Sequence, residues 1–372
     1  MSNTKQGPSG DPSRSLDELL DVFRRPIPGT AENPAIRALD RVLRGVGQVV
    51  FQGNWFTGIF VLIAIGVNSI PYLVAAILGT VVSTYTAVVF KVERGLIDAG
   101  LLGFNGCLAG IGINFYLSKD FTNGEWPDLQ LYGLIVLAAA FSTIVMSALS
   151  SLLRSRSVPA LTAPFVFASW LMLFAVHAFT GFDSAGTLLT PSTPGQLTET
   201  APYTFGTFFN GTFKGVGEIF FQDNALTGII MALGVLLNTR IGALMCVGGS
   251  AIAALIAMAA GADEGAINSG LYGFNASLTA MALGGLFFVF NKMGALYALF
   301  GIFVTTFAWP AVVLALAPTG MPTLTFPFVL TSWLFLLAKP GLAAVRSVAP
   351  PDATYPEDIY RRWKADKLGP GF

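Results

Sequence analysis

Arg44-Gly-Val-Gly-Gln-Val-Val-Phe-Gln-Gly-Asn54, followed by Thr57-Gly58-Ile59, returns later as Lys214-Gly-Val-Gly-Glu-Ile-Phe-Phe-Gln-Asp-Asn224, followed by Thr227-Gly228-Ile229. The offset is 170 residues, from position 44 to position 214. The same offset carries Gly100-Leu-Leu-Gly-Phe-Asn105 onto Gly270-Leu-Tyr-Gly-Phe-Asn275. A third pair, Leu161-Thr-Ala-Pro-Phe165 and Leu324-Thr-Phe-Pro-Phe328, is offset by 163, with Ser-Trp following at 169–170 and 332–333. Three motifs in one order, present twice, mark an internal duplication. In a very apolar chain they mean a duplicated membrane protein, a design that commonly places its transport path where the halves meet.

Composition carries the membrane reading without any motif. Hydrophobic residues make up 53% of the chain and charged residues 11%, against roughly 25% charged in a soluble domain. A mean hydropathy of +0.66 over 372 residues would leave a soluble fold prone to aggregation. The formal net charge is zero, so no basic surface argues for nucleic acid as a partner. Cys107 and Cys246 sit in apolar runs without metal spacing and make no disulfide framework. The single histidine, His177, has no second histidine with which to build a relay and reads as an interfacial or packing residue.

Apolar segments run approximately over 55–69, 71–90, 98–118, 129–153 and 159–180, then over 224–238, 241–261, 266–291, 293–317 and 323–338. That predicts five spans per half against the roughly 20 residues a hydrocarbon core asks for, the first of each half being short, as a span shielded by others can be. Ahead of each first span lies a shorter stretch, 41–51 and 208–221, with a Gly-Val-Gly break. Each reads as a re-entrant half-helix, since broken backbone survives at membrane depth only where protein covers it or it lines an aqueous path. An interfacial amphipathic helix is the alternative, and the repeated Gln48/Glu218 inside an apolar run weighs against it.

Five is odd, so the second half must enter from the opposite side. The predicted fold class is therefore an all-α membrane protein of two inverted repeats, each of five transmembrane helices and one half-helix. The predicted organisation is a polar, largely disordered region over 1–40, repeats at 41–180 and 207–345, a linker at 181–206 and a tail at 346–372. Near Leu16–Phe23 a short amphipathic piece interrupts the polar opening. No apolar stretch follows the start, so no cleavable signal peptide is expected. Arg24, Arg25, Arg37, Arg41 and Arg44 before the first span, with Arg346, Arg361, Arg362, Lys364 and Lys367 after the last, place both termini in the cytoplasm.

No catalytic constellation is visible: no phosphate-binding glycine loop, no metal-ligand cluster, no nucleophile paired with histidine. The chain reads as no enzyme and calls for no cofactor; a pore or an ion-coupled carrier remains. Ionisable groups inside apolar segments are the natural pore candidates, being costly in lipid. Gln48 and Glu218 offer an acceptor oxygen at one repeat position, suiting an uncharged substrate rich in N–H donors; capping of neighbouring helices is the plainer reading. Asp223, Asp263, Glu264, Glu93 and Asp98 fall at predicted segment ends and read as solvated.

Phe104 and Leu108, like Phe274 and Leu278, stand four residues apart and share a helix face. Such pairs usually just pack, but their duplication allows two apolar plates with a flat slot between them. Thr162 and Thr325 each precede a proline by two residues. They read either as hydroxyls bonded locally at a kink or as a central polar station.

Taken together, the doubled Gly-x-x-Gly-Phe-Asn-Gly/Ala-x-Leu, Leu-Thr-x-Pro-Phe and Gly-Gln/Glu-Val/Ile-x-Phe motifs resemble the urea transporter family, in a bacterial member, over about 41–340. The resemblance implies a homotrimer of ten-helix protomers in the inner membrane and the lipid bilayer, each with its own pore for passive flow of urea. It places the slot on Phe104, Leu108, Phe274 and Leu278, the oxygen ladder on Gln48 and Glu218, and the mid-pore hydroxyls on Thr162 and Thr325. Val49, Phe51, Ile219 and Phe221 match the family's entrance residues. The long tails and the linker depart from it.

The chemistry suits urea, which is flat and uncharged, with N–H bonds at its edge. Apolar plates can hold its faces while oxygens meet the edge, so hydration is exchanged in steps. An ammonia conductor would want a pore histidine pair. An aquaporin would repeat Asn-Pro-Ala on re-entrant segments, and here Asn33-Pro34-Ala35 stands once, in the polar region. An ion-coupled carrier would need clustered acidic ligands. A purely structural protein would leave the duplicated intramembrane polar residues without use.

Overall fold

The chain is seen in a computed structural model, which describes residues 24–119, 128–179, 197–349 and 353–368, with Val22, Gly124, Trp126, Gly181 and 191–195. The amphipathic piece near Leu16–Phe23 and most of the polar opening lie outside the described residues, as does much of the predicted linker.

The first half is built from α1 (Pro34–Gln48), α2 (Trp55–Asn68), α3 (Ile70–Val89), α4 (Arg94–Asp98), α5 (Phe104–Leu117), α6 (Leu129–Leu153) and α7 (Ala163–Val176). The second follows with α8 (Phe205–Gly217), α9 (Ala225–Leu236), α10 (Arg240–Ala259), α11 (Glu264–Asn268), α12 (Gly273–Met281), α13 (Lys292–Leu316) and α14 (Phe326–Ala338). A last helix, α15 (Pro356–Lys364), completes the chain. Among the described residues the only extended pairing is an isolated bridge between Phe288 and Ser347.

Matching helices start on matching caps. The Asn54 side chain accepts from the Thr57 N–H at 2.8 Å, and the Asn224 side chain from the Thr227 N–H at 3.2 Å. Each satisfies a donor that a helix start leaves orphaned. Between α8 and α9 the axes bend by 74°. In both halves the approach of the second helix to the first needs glycine. A Cβ on Gly58 would strike the Leu43 carbonyl, and one on Gly228 the Phe213 carbonyl.

Among the described residues four helices are individually long and apolar enough to cross a membrane: α3, α10, and α6 and α13 with their short 3-10 extensions to Arg156 and Thr319. The bent α8–α9 pair makes a fifth if counted as one span. The other apolar helices are shorter than the sequence reading expected. In the segment 98–118 the helix α5 starts only at Phe104, because α4 has ended at Asp98 and the backbone turns at Gly100, whose φ is +77°. The segment 266–291 divides further: α11, α12, then a π-turn over Ala282–Leu286 broken at Gly284 and Gly285. Hydropathy could not show these breaks, because glycine keeps a segment apolar while releasing its backbone.

The short α5 and α12 sit inside, and the long α6 and α13 lie towards the outside. Leu108, Phe165, Phe288 and Phe328 are buried on or beside α5, α7, α12 and α14. Leu137, Ile144, Phe300 and Phe307 stand exposed on α6 and α13. Apolar surface of that extent suits lipid better than water.

Candidate functional site

Both repeated loops hold a phenylalanine in a strained backbone. Phe51 has φ +60° and Phe221 φ +59°, a left-handed conformation that costs a non-glycine residue about 1–2 kcal/mol. Each loop is closed by backbone bonds, Gln52 N–H to the Gly47 carbonyl at 3.0 Å and Gln222 N–H to the Gly217 carbonyl at 3.2 Å. The turn aims each ring at the opposite half. Phe51 meets the edge of Phe328 at 6.2 Å, and Phe221 meets Phe165 at 6.1 Å.

Leu161 and Leu324 repeat the pattern, with φ +54° and +50°. They feed Thr162 and Thr325, which stand just before α7 and α14. Here the structure corrects the sequence reading: Pro164 and Pro327 lie in the first turn of their helices, not at a kink. Proline there interrupts nothing, because the first-turn N–H groups are unpaired in any helix. The Thr162 and Thr325 hydroxyls instead meet each other, Oγ1 to Oγ1 at 2.6 Å, both buried.

Two motifs that the sequence shows separately are joined by their asparagines. Asn105 accepts from the Phe165 N–H at 3.0 Å and donates to the Leu161 carbonyl at 3.3 Å. Asn275 repeats both bonds with Phe328 and Leu324, at 3.0 and 3.3 Å. These asparagines were quoted within the motif without a role; only the fold shows that they fix α7 and α14 against α5 and α12.

Contacts between the halves come in exchanged pairs. Thr57 Oγ1 donates to the Gly234 carbonyl at 2.9 Å, and Thr227 Oγ1 to the Ala64 carbonyl at 3.2 Å. Trp170 Nε1 donates to the Pro322 carbonyl at 2.8 Å, and Trp333 Nε1 to the Pro159 carbonyl at 2.9 Å. Asn68 Nδ2 donates to Gln222 Oε1 at 2.8 Å, and Asn238 Nδ2 to Gln52 Oε1.

A cavity of about 320 Å³ gathers five of the residues singled out above: Glu218, Ile219, Phe221, Phe274 and Thr325. Gln48, Val49, Phe51, Phe104, Leu108, Thr162 and Leu278 do not line it. Thr162 reaches it only through Thr325; Leu108 and Leu278 are wholly buried on α5 and α12. Repeat equivalence also fails in detail at Gln48, whose Nε2 donates to the Ala99 carbonyl at 2.9 Å. The Glu218 side chain makes no hydrogen bond among the described residues.

The cavity also holds residues that the sequence reading missed, Phe115, Tyr116 and Trp309. Nothing doubled flags them: Tyr116 answers to Leu286 and Trp309 to Met146.

Three carboxylates are held in ion pairs, the Asp40–Arg44 pair being buried. Asp98 takes Arg41 at 2.6 Å, Asp223 takes Lys214 at 2.6 Å, and Asp40 takes Arg44 at 2.8 Å. Glu264 accepts from Thr207 at 2.6 Å, and Asp263 caps α11 through the Ala266 N–H at 2.8 Å. His177 is exposed just past α7. No cluster of metal-ligating side chains occurs among the described residues.

Sequence comparison gives this geometry a context. The urea transporter family matches residues 39–340. Urea transporter 1 of sheep (Ovis aries) is 32% identical over 362 residues, covering 95% of this chain and 92% of the relative. The goat protein of that name (Capra hircus) gives the same figures. The rat protein (Rattus norvegicus) is 31% identical over 303 residues, 81% of this chain and 77% of its own. These relatives are mammalian and lend no support to a bacterial source. Members of the family are transport proteins and not enzymes. A match across both copies of every doubled motif, at this identity, means that the chain belongs to the urea transporter family.

Proposed function

We propose that this chain conducts urea passively through a path between two inverted repeats. The observation that carries the proposal is the cavity that brings Glu218, Phe221 and Phe274 to Thr325, which meets Thr162 of the other half at 2.6 Å. An acceptor, two aromatic walls and one member of a shared hydroxyl pair thus line one space. Exchanged contact pairs are what a two-fold operation generates, and they support repeats at 41–180 and 207–345 related by an axis in the membrane plane. On that reading ten segments cross, with the short α5 and α12 sheltered from lipid by their neighbours. Both termini are then cytoplasmic.

Beyond the cavity the path continues between Phe104 and Leu108 on one side and Phe274 and Leu278 on the other. Its far mouth is formed by Gln48, Val49 and Phe51, as Glu218, Ile219 and Phe221 form the near one. Weak, similar sites in series let a substrate enter without full dehydration and also leave. The unit in the bilayer is a homotrimer, each protomer with its own path.

Reconstitution tests the proposal. In liposomes containing the protein, urea should equilibrate along its own gradient at the same rate with or without proton and sodium gradients. Accumulation of urea against its gradient, driven by either ion, would show a coupled carrier instead.

A further inference from the structure

The row Phe104, Leu108, Gly112, Tyr116 climbs α5 at steps of four residues, each one turn from the last. Its repeat equivalents are Phe274, Leu278, Ala282 and Leu286. The first two positions are duplicated in kind. The last is not: one half ends the row in a phenol, the other in an isobutyl group within the broken turn after α12.

The phenol sits where the path opens. Tyr116 lines the cavity that Glu218 also lines, and its ring stands edge-on to Phe221 at 6.0 Å and 88°. Gly112 makes room for this arrangement, since a Cβ there would lie 3.2 Å from Cζ of Phe221. The Tyr116 hydroxyl makes no hydrogen bond among the described residues, and neither does the Glu218 carboxylate. An unpaired phenol O–H and an unpaired carboxyl oxygen thus face one space.

We infer that Tyr116 is a substrate-orienting residue, whose hydroxyl donates to the carbonyl oxygen of urea while Glu218 accepts from an N–H of the same molecule. The inference rests on the urea path proposed above. A mouth made of acceptors and apolar walls would satisfy the edge of urea and leave its carbonyl oxygen without a donor, and a desolvated acceptor without a partner is costly. Tyr116, edge-on to Phe221, supplies that donor; the Trp309 indole N–H also lines the cavity, but on a ring packed against Tyr272 at 4.6 Å. At the opposite mouth Leu286 has no donor to give, and the Gln48 amide N–H is already committed to the Ala99 carbonyl. The two mouths therefore hold urea differently, although their slot residues are duplicated.

Tyr116→Phe against the parent, with urea and thiourea as probes, tests the inference. Thiourea keeps the shape and the N–H bonds, but its sulfur is a weak acceptor. Half-saturating concentrations are measured for both solutes in liposomes, a quantity independent of how many molecules are active. In the Phe variant the value for urea should rise about two- to tenfold relative to that for thiourea, the worth of one ordinary hydrogen bond. An unchanged urea-to-thiourea ratio makes Tyr116 wall packing only. Failure of the parent to pass urea at all would instead remove the conducting path itself.

Discussion

Leu108 and Leu278 are each wholly buried, so a change at either is felt twice, in packing and in the width of the proposed slot. Leu108→Ala or Leu278→Ala should cost about 2–5 kcal/mol where the cavity fails to refill. It should also admit bulkier amides, raising the flux of dimethylurea relative to urea in matched liposomes. An identical flux ratio in parent and variants would reduce these leucines to helix packing. The acceptor pair separates by the same logic. Gln48→Leu strips the Ala99 carbonyl of its 2.9 Å partner, so lost flux there mixes function with stability. Glu218→Leu breaks no side-chain hydrogen bond among the described residues. Its effect on flux is the cleaner reading. Glu218→Gln should keep substantial urea flux and Glu218→Leu should lose most of it, since an oxygen is what an N–H needs. Equal flux in the Leu variant and the parent would take Glu218 off the path.

Between elements, the decisive contacts are backbone against backbone. Gly58 lets α2 lie on the Leu43 carbonyl of α1, and Gly228 lets α9 lie on the Phe213 carbonyl of α8. Neither carbonyl can swing away as a side chain would. Gly58→Ala and Gly228→Ala should each lower stability by about 1–3 kcal/mol or more, the range for overpacking, read as a lower melting temperature in detergent. Gly248 in α10 is the control, because nothing lies within 4 Å of a Cβ placed there. Gly248→Ala should be neutral or stabilising by up to about 1 kcal/mol, from helix propensity alone. Equal effects at all three positions would mean that close approach is not what those helix pairs need.

Across the whole molecule, Arg24 and the segment around α15 meet at one loop. Glu357 of α15 accepts from Thr239 Oγ1 at 2.6 Å and from the Ile241 N–H at 2.9 Å, capping α10. Pro356 packs beside Gly285, whose φ of +148° keeps the turn after α12 open. The Val348 N–H donates to the Phe287 carbonyl at 2.9 Å, and the Phe287 ring stands edge-on to Phe51 at 6.2 Å. From the other end, Arg24 covers the Tyr355 ring at 4.3 Å and donates to the Asn238 carbonyl at 2.8 Å. Removing residues 353–372 should therefore lower the melting temperature by several degrees. Glu357→Ala should reproduce about 1.5–3 kcal/mol of that loss, the scale of bonds to a charged group. A truncated protein that melts with the parent would show that α15 contributes nothing to holding α10.

The sequence by itself determined the duplication, the membrane class and the family, since offsets of 170 and 163 and an apolar composition are one-dimensional facts. It also reached the doubled positions that the cavity gathers in part, because duplicated polar residues in apolar runs stand out against their neighbours. Helix ends were less legible. Hydropathy runs on through Gly100 and Gly284, where the backbone turns aside, and glycine changes conformation without changing polarity. Partnership was not legible at all. That Asn105 would fix the Phe165 motif, that Thr162 would meet Thr325, and that Glu218 would share its cavity with Tyr116 were decided by tertiary packing alone. Repeats reveal what is common to the halves, whereas Tyr116 and Trp309 exist in one half only. Their significance comes from the space they face, and that space exists only once the two halves have closed on each other.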